Sequence, residues 1–257
     1  MVETTHPDGS SEKTVDIVNA DGSTETISEK VKPNGASERV TDIEKADGTT
    51  IHEDVKITAK GKETSYRSET LPTGDKTVTE QVKQPSGDFS KTTTSTAVKT
   101  DDDGNIISTS VKITVAVKTG ATTTRTSFSV ISSEPVAKKN ALIAAAKMAS
   151  KKKNQVALTK ATTNAKSKTV TIPKTVKADG VTYSVVTLKK GMLKGNKKMP
   201  TKVKLKATGV TKVEKGAFKA MAKKGKIYVS GTKKQFKKLK KLIVKSGLPK
   251  GVKVKRA

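Results

Sequence analysis

Seven glycines fall on a fixed interval: Gly9, Gly22, Gly35, Gly48, Gly61, Gly74 and Gly87, each thirteen residues after the one before. Most close a turn pair, as in Asp8-Gly9, Asp21-Gly22, Asn34-Gly35 and Asp47-Gly48. Asp-Gly and Asn-Gly supply the two positive φ angles of a type I′ hairpin turn. The runs between them are rich in Thr, Val and Ile, as in Thr49-Thr50-Ile51-His52-Glu53-Asp54-Val55-Lys56-Ile57. Such runs read as strands. The simplest fold for this half is an antiparallel meander with one strand per repeat.

Gly104 comes 17 residues after Gly87, so the last turn is longer. Two further strands are expected, around 107–118 and 122–131, joined at Thr119-Gly120. That makes about nine strands. Both faces read as polar: the second strand offers Ile27 and Val31, the fifth Tyr66 and Leu71. A sandwich needs one apolar face on every strand. The expectation is therefore an extended, largely single-layer sheet, stabilised by its hydrogen-bond ladder, Thr and Val pairs and opposite charges across strands. Apolar alternation strengthens only at Val111, Ile113, Val115 and Val117, and again at Phe128 and Val130, which implies packing on the next segment of the chain.

Charge separates the two halves. Residues 1–135 carry 16 Lys+Arg against 22 Asp+Glu, a net −6. Residues 136–257 carry 36 Lys+Arg against Asp179 and Glu214 alone, a net +34 within a chain total of +28. An asymmetry of this size predicts a boundary near Pro135 and different partners for the two sides. The expected divisions are a sheet over 1–134, a helical linker over 135–154, and a third segment over 155–257. Hydrophobic content of 32% and aromatic content of 3% are low for a compact globule, so apolar residues must be used in thin layers. With no cysteine, disulfides and thiolate metal sites are excluded. No apolar run approaches the ~18 residues of a membrane-spanning helix. Met1-Val2-Glu3-Thr4 lacks the basic start and apolar stretch of a secretory signal, so export would make this a processed product or a fragment.

After Pro135, the stretch from Ala137 to Met148 has high helix propensity and predicts a short helix. Strand patterns return at Val156-Ala157-Leu158, Thr169–Ile172 and Tyr183–Val186. A second repeat then begins. Val185-Val186-Thr187-Leu188-Lys189-Lys190-Gly191-Met192-Leu193-Lys194 is followed 25 residues on by Val210-Thr211-Lys212-Val213-Glu214-Lys215-Gly216-Ala217-Phe218-Lys219. A short strand follows each copy, Val203-Lys204-Leu205 and Ile227-Tyr228-Val229. A period in the twenties marks a solenoid, whose repeats bury their apolar faces on one another. Thr232 and Gln235 form a capping box ahead of an apolar stripe, Phe236, Leu239, Leu242 and Ile243, and Gly247 and Pro249 end that helix. Val252 and Val254 alternate with Lys253 and Lys255 in a closing edge strand.

On these grounds, residues 155–257 resemble the BspA-like leucine-rich repeats of bacterial surface proteins. Gly216-Ala217-Phe218-Lys219 matches the repeat core well, and Gly191-Met192-Leu193-Lys194-Gly195-Asn196 is a looser copy with Met192 and Leu193 in place of Ala and Phe. The resemblance implies a short α/β solenoid closed by a capping helix, and a cell-surface or secreted binding module. It names no ligand, and the 13-residue repeats are assigned to no family.

Catalytic material is sparse. His6 and His52 have no matched nucleophile, and Asp179 and Glu214 read as a turn residue and a solvated acid rather than a pair flanking a cleft. There is no glycine-rich phosphate loop. Asp101-Asp102-Asp103-Gly104-Asn105 fails the calcium-loop pattern because its sixth position is Ile106. No enzyme activity, cofactor or metal is expected.

The lysines are the candidate site, above all Lys233, Lys234, Lys237, Lys238, Lys240 and Lys241 on the final helix. They would attract anionic polymers through their field and through counterion release. Lys in place of Arg argues against bidentate base or phosphate reading, and scarce aromatics argue against single-strand stacking. The expected partners are an anionic polysaccharide, a cell-wall polymer or a host surface protein, with nucleic acid disfavoured. Two alternatives stand beside this: a structural terminal or anchor domain whose lysines only confer solubility, and a non-specific nucleic-acid binder.

Overall fold

The computed structural model describes residues 1–130, 154–163 and 168–257. The helix expected between Ala137 and Met148 lies outside the described residues. Chain contacts define two units, Met1–Val98 and Lys99–Ala257.

The first unit is a run of consecutive antiparallel strands: β1 (Val2–Thr5), β2 (Ser11–Val18), β3 (Thr24–Val31), β4 (Ser37–Glu44), β5 (Thr50–Ile57), β6 (Glu63–Thr70), β7 (Lys76–Lys83) and β8 (Phe89–Thr100). From β2 to β8 the register never slips, so each residue is matched by the one 26 positions later, two strands on. The thirteen-residue period is thus eight residues of strand and five of turn. β1, with all four residues exposed, was not expected.

The turns differ from the type I′ expectation. In the turn after β2, Asn19 N donates to Ser23 O at 2.9 Å and Gly22 N to Asn19 O at 3.0 Å, which leaves a three-residue loop. Of these loop residues only the glycine has positive φ, between 74° and 86° along the series, so each is a type I turn closed by a left-handed glycine. Asp-Gly suits both turn types, and the loop length selects between them. A two-residue loop with positive φ at both positions joins Ala178 to its partner Val181, at Asp179 (φ 47°) and Gly180 (φ 71°).

The loop carboxylates are fixed by their own turns. Asp21 accepts from Ser23 N at 2.9 Å and Ser23 Oγ at 2.6 Å, Asp8 accepts likewise from Ser10, and Asp47 from Thr49 N at 2.8 Å. These bonds hold all three carboxyls below the usual Asp range. A depressed folded-state pKa gives stability that is complete above the unfolded value, about 3.9, and is lost as pH falls through the folded value. The first unit should therefore lose thermal stability progressively below about pH 4. Asn34 makes the same bond to Ala36 N at 3.0 Å without a titrating group. The combined variant Asp8→Asn, Asp21→Asn, Asp47→Asn should flatten that acid limb in a melting series followed by circular dichroism, and an unchanged limb would count against the turn carboxylates.

Cross-strand charge is ordered in rows. Glu12, Lys30, Glu38 and Lys56 stand opposite one another on four successive strands. Lys30 Nζ is 3.0 Å from Glu12 and Lys56 Nζ 2.7 Å from Glu38. In the adjoining row Arg39 and Glu29 are 3.5 Å apart. Apolar covering is thin: Ile51 and Val78 are the buried hydrophobics of this unit, and every residue of β6 is half-buried. The main apolar cluster takes no member from residues 1–98.

The second unit begins earlier than the charge boundary predicts. Its strands β9 (Ile106–Thr119) and β10 (Thr122–Val130) form a hairpin, and β10 pairs antiparallel with β11 (Gln155–Thr163). Ile113 and Phe128, both fully buried, belong to the same core as Val156, Leu158 and Leu188. Apolar packing that starts at Val111 places β9 and β10 with this unit, on the N-terminal side of the charge change near Pro135.

The rest of this unit is β12 (Thr169–Ile172), β13 (Thr175–Ala178), β14 (Val181–Leu188), β15 (Lys202–Leu205), β16 (Lys212–Val213), β17 (Lys226–Val229), α1 (Lys233–Lys245) and β18 (Lys253–Arg256). Two ladders of parallel strands result. One joins β11, β14 and β16, with β13 antiparallel on β14. The other is a four-stranded sheet in the order β12, β15, β17, β18. Val170, Val203, Ile227 and Val254 stack across it in register. The first three are buried in the shared core, and Val254 packs against it at the edge.

The repeated Gly-containing segments stack through their backbones: Gly191 N donates to Gly216 O at 3.2 Å, and Gly216 N to Ser246 O at 2.7 Å. Met192 and Leu193 of one copy and Ala217 and Phe218 of the other are all buried in the core. The edge position of β18 matches the sequence expectation. The helix precedes that strand, in the order expected.

Candidate functional site

The six candidate lysines lie where the helix reading puts them. Thr232 caps α1, its Oγ accepting from Gln235 N at 3.3 Å while Gln235 Oε1 accepts from Thr232 N at 2.9 Å. Leu239 and Ile243 are buried, and Phe236 and Leu242 pack against the core beside them. That fixes the helix rotation and turns Lys233, Lys234, Lys237, Lys238, Lys240 and Lys241 outward, all exposed. Lys240 Nζ lies 5.9 Å from the Phe236 ring centre, a cation–π contact.

Electrostatically the helix is arranged against itself. Its first turn has no acid and carries Lys233 and Lys234, where the helix dipole favours negative charge. Lys233 with Lys237, Lys234 with Lys238, and Lys237 with Lys241 are like charges four apart, each costing about 0.2–0.5 kcal/mol. The two carboxylates of the basic half do not relieve this. Glu214 accepts from Lys190 N and from Lys189 Nζ, both at 2.9 Å, and these bonds depress its pKa. It therefore straps one repeat segment to the next. Asp179 occupies the β13–β14 turn.

A second cationic surface escaped sequence reasoning. On the four-stranded parallel sheet, the residues between the buried ones form rows: Thr169, Lys202, Lys226, Lys253, and beside it Thr171, Lys204, Tyr228, Lys255. All five lysines are exposed, and Tyr228 is half-buried. Lys202 Nζ stands 5.6 Å from the centre of the Tyr228 ring. The signal was present as Lys-x-Lys in β15 and β18 and Lys-x-Tyr in β17, but only the parallel register shows that they stack.

The histidines stand apart from both surfaces. His52 Nδ1 is 2.6 Å from Asp42 Oδ1 on the neighbouring strand, with Tyr66 beside it at 6.1 Å between ring centres. His6 sits at the mouth of the first turn, its carbonyl accepting from Gly9 N. Among the described residues no group of three His, Asp or Glu side chains is placed to hold a metal. Among them, too, no helix is long and apolar enough to cross a membrane.

Compared with known proteins, the chain matches no family model, no curated protein and no solved structure.

Proposed function

We propose that this chain is a non-enzymatic binding module of a bacterial cell-surface or secreted protein, that residues 155–257 are a BspA-like leucine-rich-repeat solenoid, and that this basic part contacts anionic glycans or cell-wall polymers. The acidic meander serves as a spacer. The observation that carries the reading is the helix α1, which holds six exposed lysines, two of them, Lys233 and Lys234, in a first turn that has no acid. Charge retained at a cost to the helix fits a surface whose opposite charge comes from a partner. The parallel ladders and the stacked Gly191 and Gly216 segments support the solenoid reading.

The test is retention of the full chain on immobilised heparin and on a teichoic-type polymer across a salt gradient. Binding at low salt, lost steeply with salt, is expected. Reversing Lys237, Lys238, Lys240 and Lys241 to Glu should lower affinity at least tenfold. Retention unchanged by that reversal would favour the structural-anchor alternative.

A further inference from the structure

We propose that the outward face of the β12–β15–β17–β18 sheet is a track for one extended anionic polysaccharide, running across the strands along the lysine rows. This rests on the polyanion reading above and assigns it a second, sugar-selective surface.

Parallel register places Lys202, Lys226 and Lys253 directly opposite one another on three successive strands, and Lys204 and Lys255 on either side of Tyr228 in the next row. Strands are spaced ~4.8 Å apart and alternate residues along a strand ~6.6 Å, so the five lysine positions form a regular grid. Like charges directly opposite in a ladder are destabilising. The acidic meander solves the same problem with alternating signs, as in Glu12, Lys30, Glu38 and Lys56. Here no acid is interleaved, and the counter-charge must come from outside the sheet. A linear polymer with evenly repeated carboxylates or sulfates, lying across the strands, supplies it along the rows.

Tyr228 decides the class of polymer. It is the single aromatic in the grid, with Lys202 over its ring. One ring between two lysines gives a platform for the apolar C–H face of a pyranose, while its neighbours pair with the acidic substituents. Stacking of successive bases needs several aromatics in a line, and phosphate or base reading favours arginine forks. The one nearby arginine, Arg256, is engaged elsewhere, its Nε donating to Gly231 O at 3.2 Å.

The experiment compares three variants of the full chain in binding to a heparin oligosaccharide, inorganic polyphosphate and single-stranded DNA at one salt concentration. The variants are Lys202→Gln with Lys226→Gln and Lys253→Gln, Tyr228→Thr, and Lys237→Gln with Lys238→Gln and Lys241→Gln. The sheet triple and Tyr228→Thr should each lower heparin affinity at least fivefold more than polyphosphate or DNA affinity. The helix triple should weaken all three ligands by the same factor. Because the sheet lysines are exposed and mutually repelling, their neutralisation should leave the melting temperature unchanged or raised. Equal losses for all three ligands in the sheet variants, or no loss, would overturn the track while leaving the charge-based function in place. Absence of heparin binding by the unaltered chain at low salt would instead remove the polyanion reading, and the track with it.

Discussion

Replacing Phe218 with Ala is expected to destabilise the second unit by about 3–5 kcal/mol, the usual cost of deleting a fully buried ring. Phe218 is entirely inaccessible and shares its core with the ladder residues Leu205, Ile227 and Val229 and the helix residues Leu239 and Ile243. Its backbone is fixed as well: its carbonyl accepts from Met221 N at 3.0 Å, and Lys219 N reaches Gly216 O at 3.2 Å. The surroundings cannot collapse without breaking the stacked segments, so the cavity should remain. By contrast, Ile17→Ala in the acidic meander should cost only about 1 kcal/mol, because Ile17 is half-exposed and has little burial to lose. Urea denaturation read at both ends of the chain would give the comparison. A Phe218→Ala loss no larger than that of Ile17→Ala would mean that the repeat segments do not share a core.

The difference between those two sites also explains what could be read from the residues beforehand. In the meander, local rules suffice. A glycine every thirteen residues fixes the combined length of strand and turn, so one register repeats from β2 through β8. The capping box of α1 was equally local, since Thr232 and Gln235 name the helix start by themselves. The loop type was not legible, because Asp-Gly serves loops of two residues and of three. Membership of β9 and β10 was not fixed by charge, which changes sign near Pro135, while the packing that matters starts at Val111 and Ile113. The lysine rows were hidden for a different reason. Parallel strands separated by unlike loops carry no local mark of register, so Lys202, Lys226 and Lys253 become neighbours only through tertiary pairing. The six helix lysines, lying on one element, were visible at once.

Asn196 provides the sharpest polar test of how the repeat segments are tied together. Its Nδ2 donates to Ala161 O at 3.0 Å and to Leu193 O at 2.8 Å, and its Oδ1 accepts from Thr163 N at 2.9 Å. One side chain thus satisfies three backbone groups on two segments, the end of β11 and the turn after Leu193. Asn196→Ala should cost about 2–3 kcal/mol, since each net bond contributes about 0.5–1.5 kcal/mol and the side chain is only partly buried. Asn196→Asp separates bonding from shape. The carboxylate can still accept from Thr163 N, but it offers no donor to the two carbonyls and repels them. At neutral pH it should be at least as destabilising as Ala. Those carbonyls favour the protonated acid, so the folded-state pKa would lie above the unfolded one, and the destabilisation should grow as pH rises through that interval and shrink below it. Thermal melts of the two variants between about pH 3 and pH 7 would show this, with Ala parallel to the unaltered chain and Asp diverging from it as pH increases. Parallel curves for all three would mean that the Asn196 amide is replaced by water and that the tie contributes little.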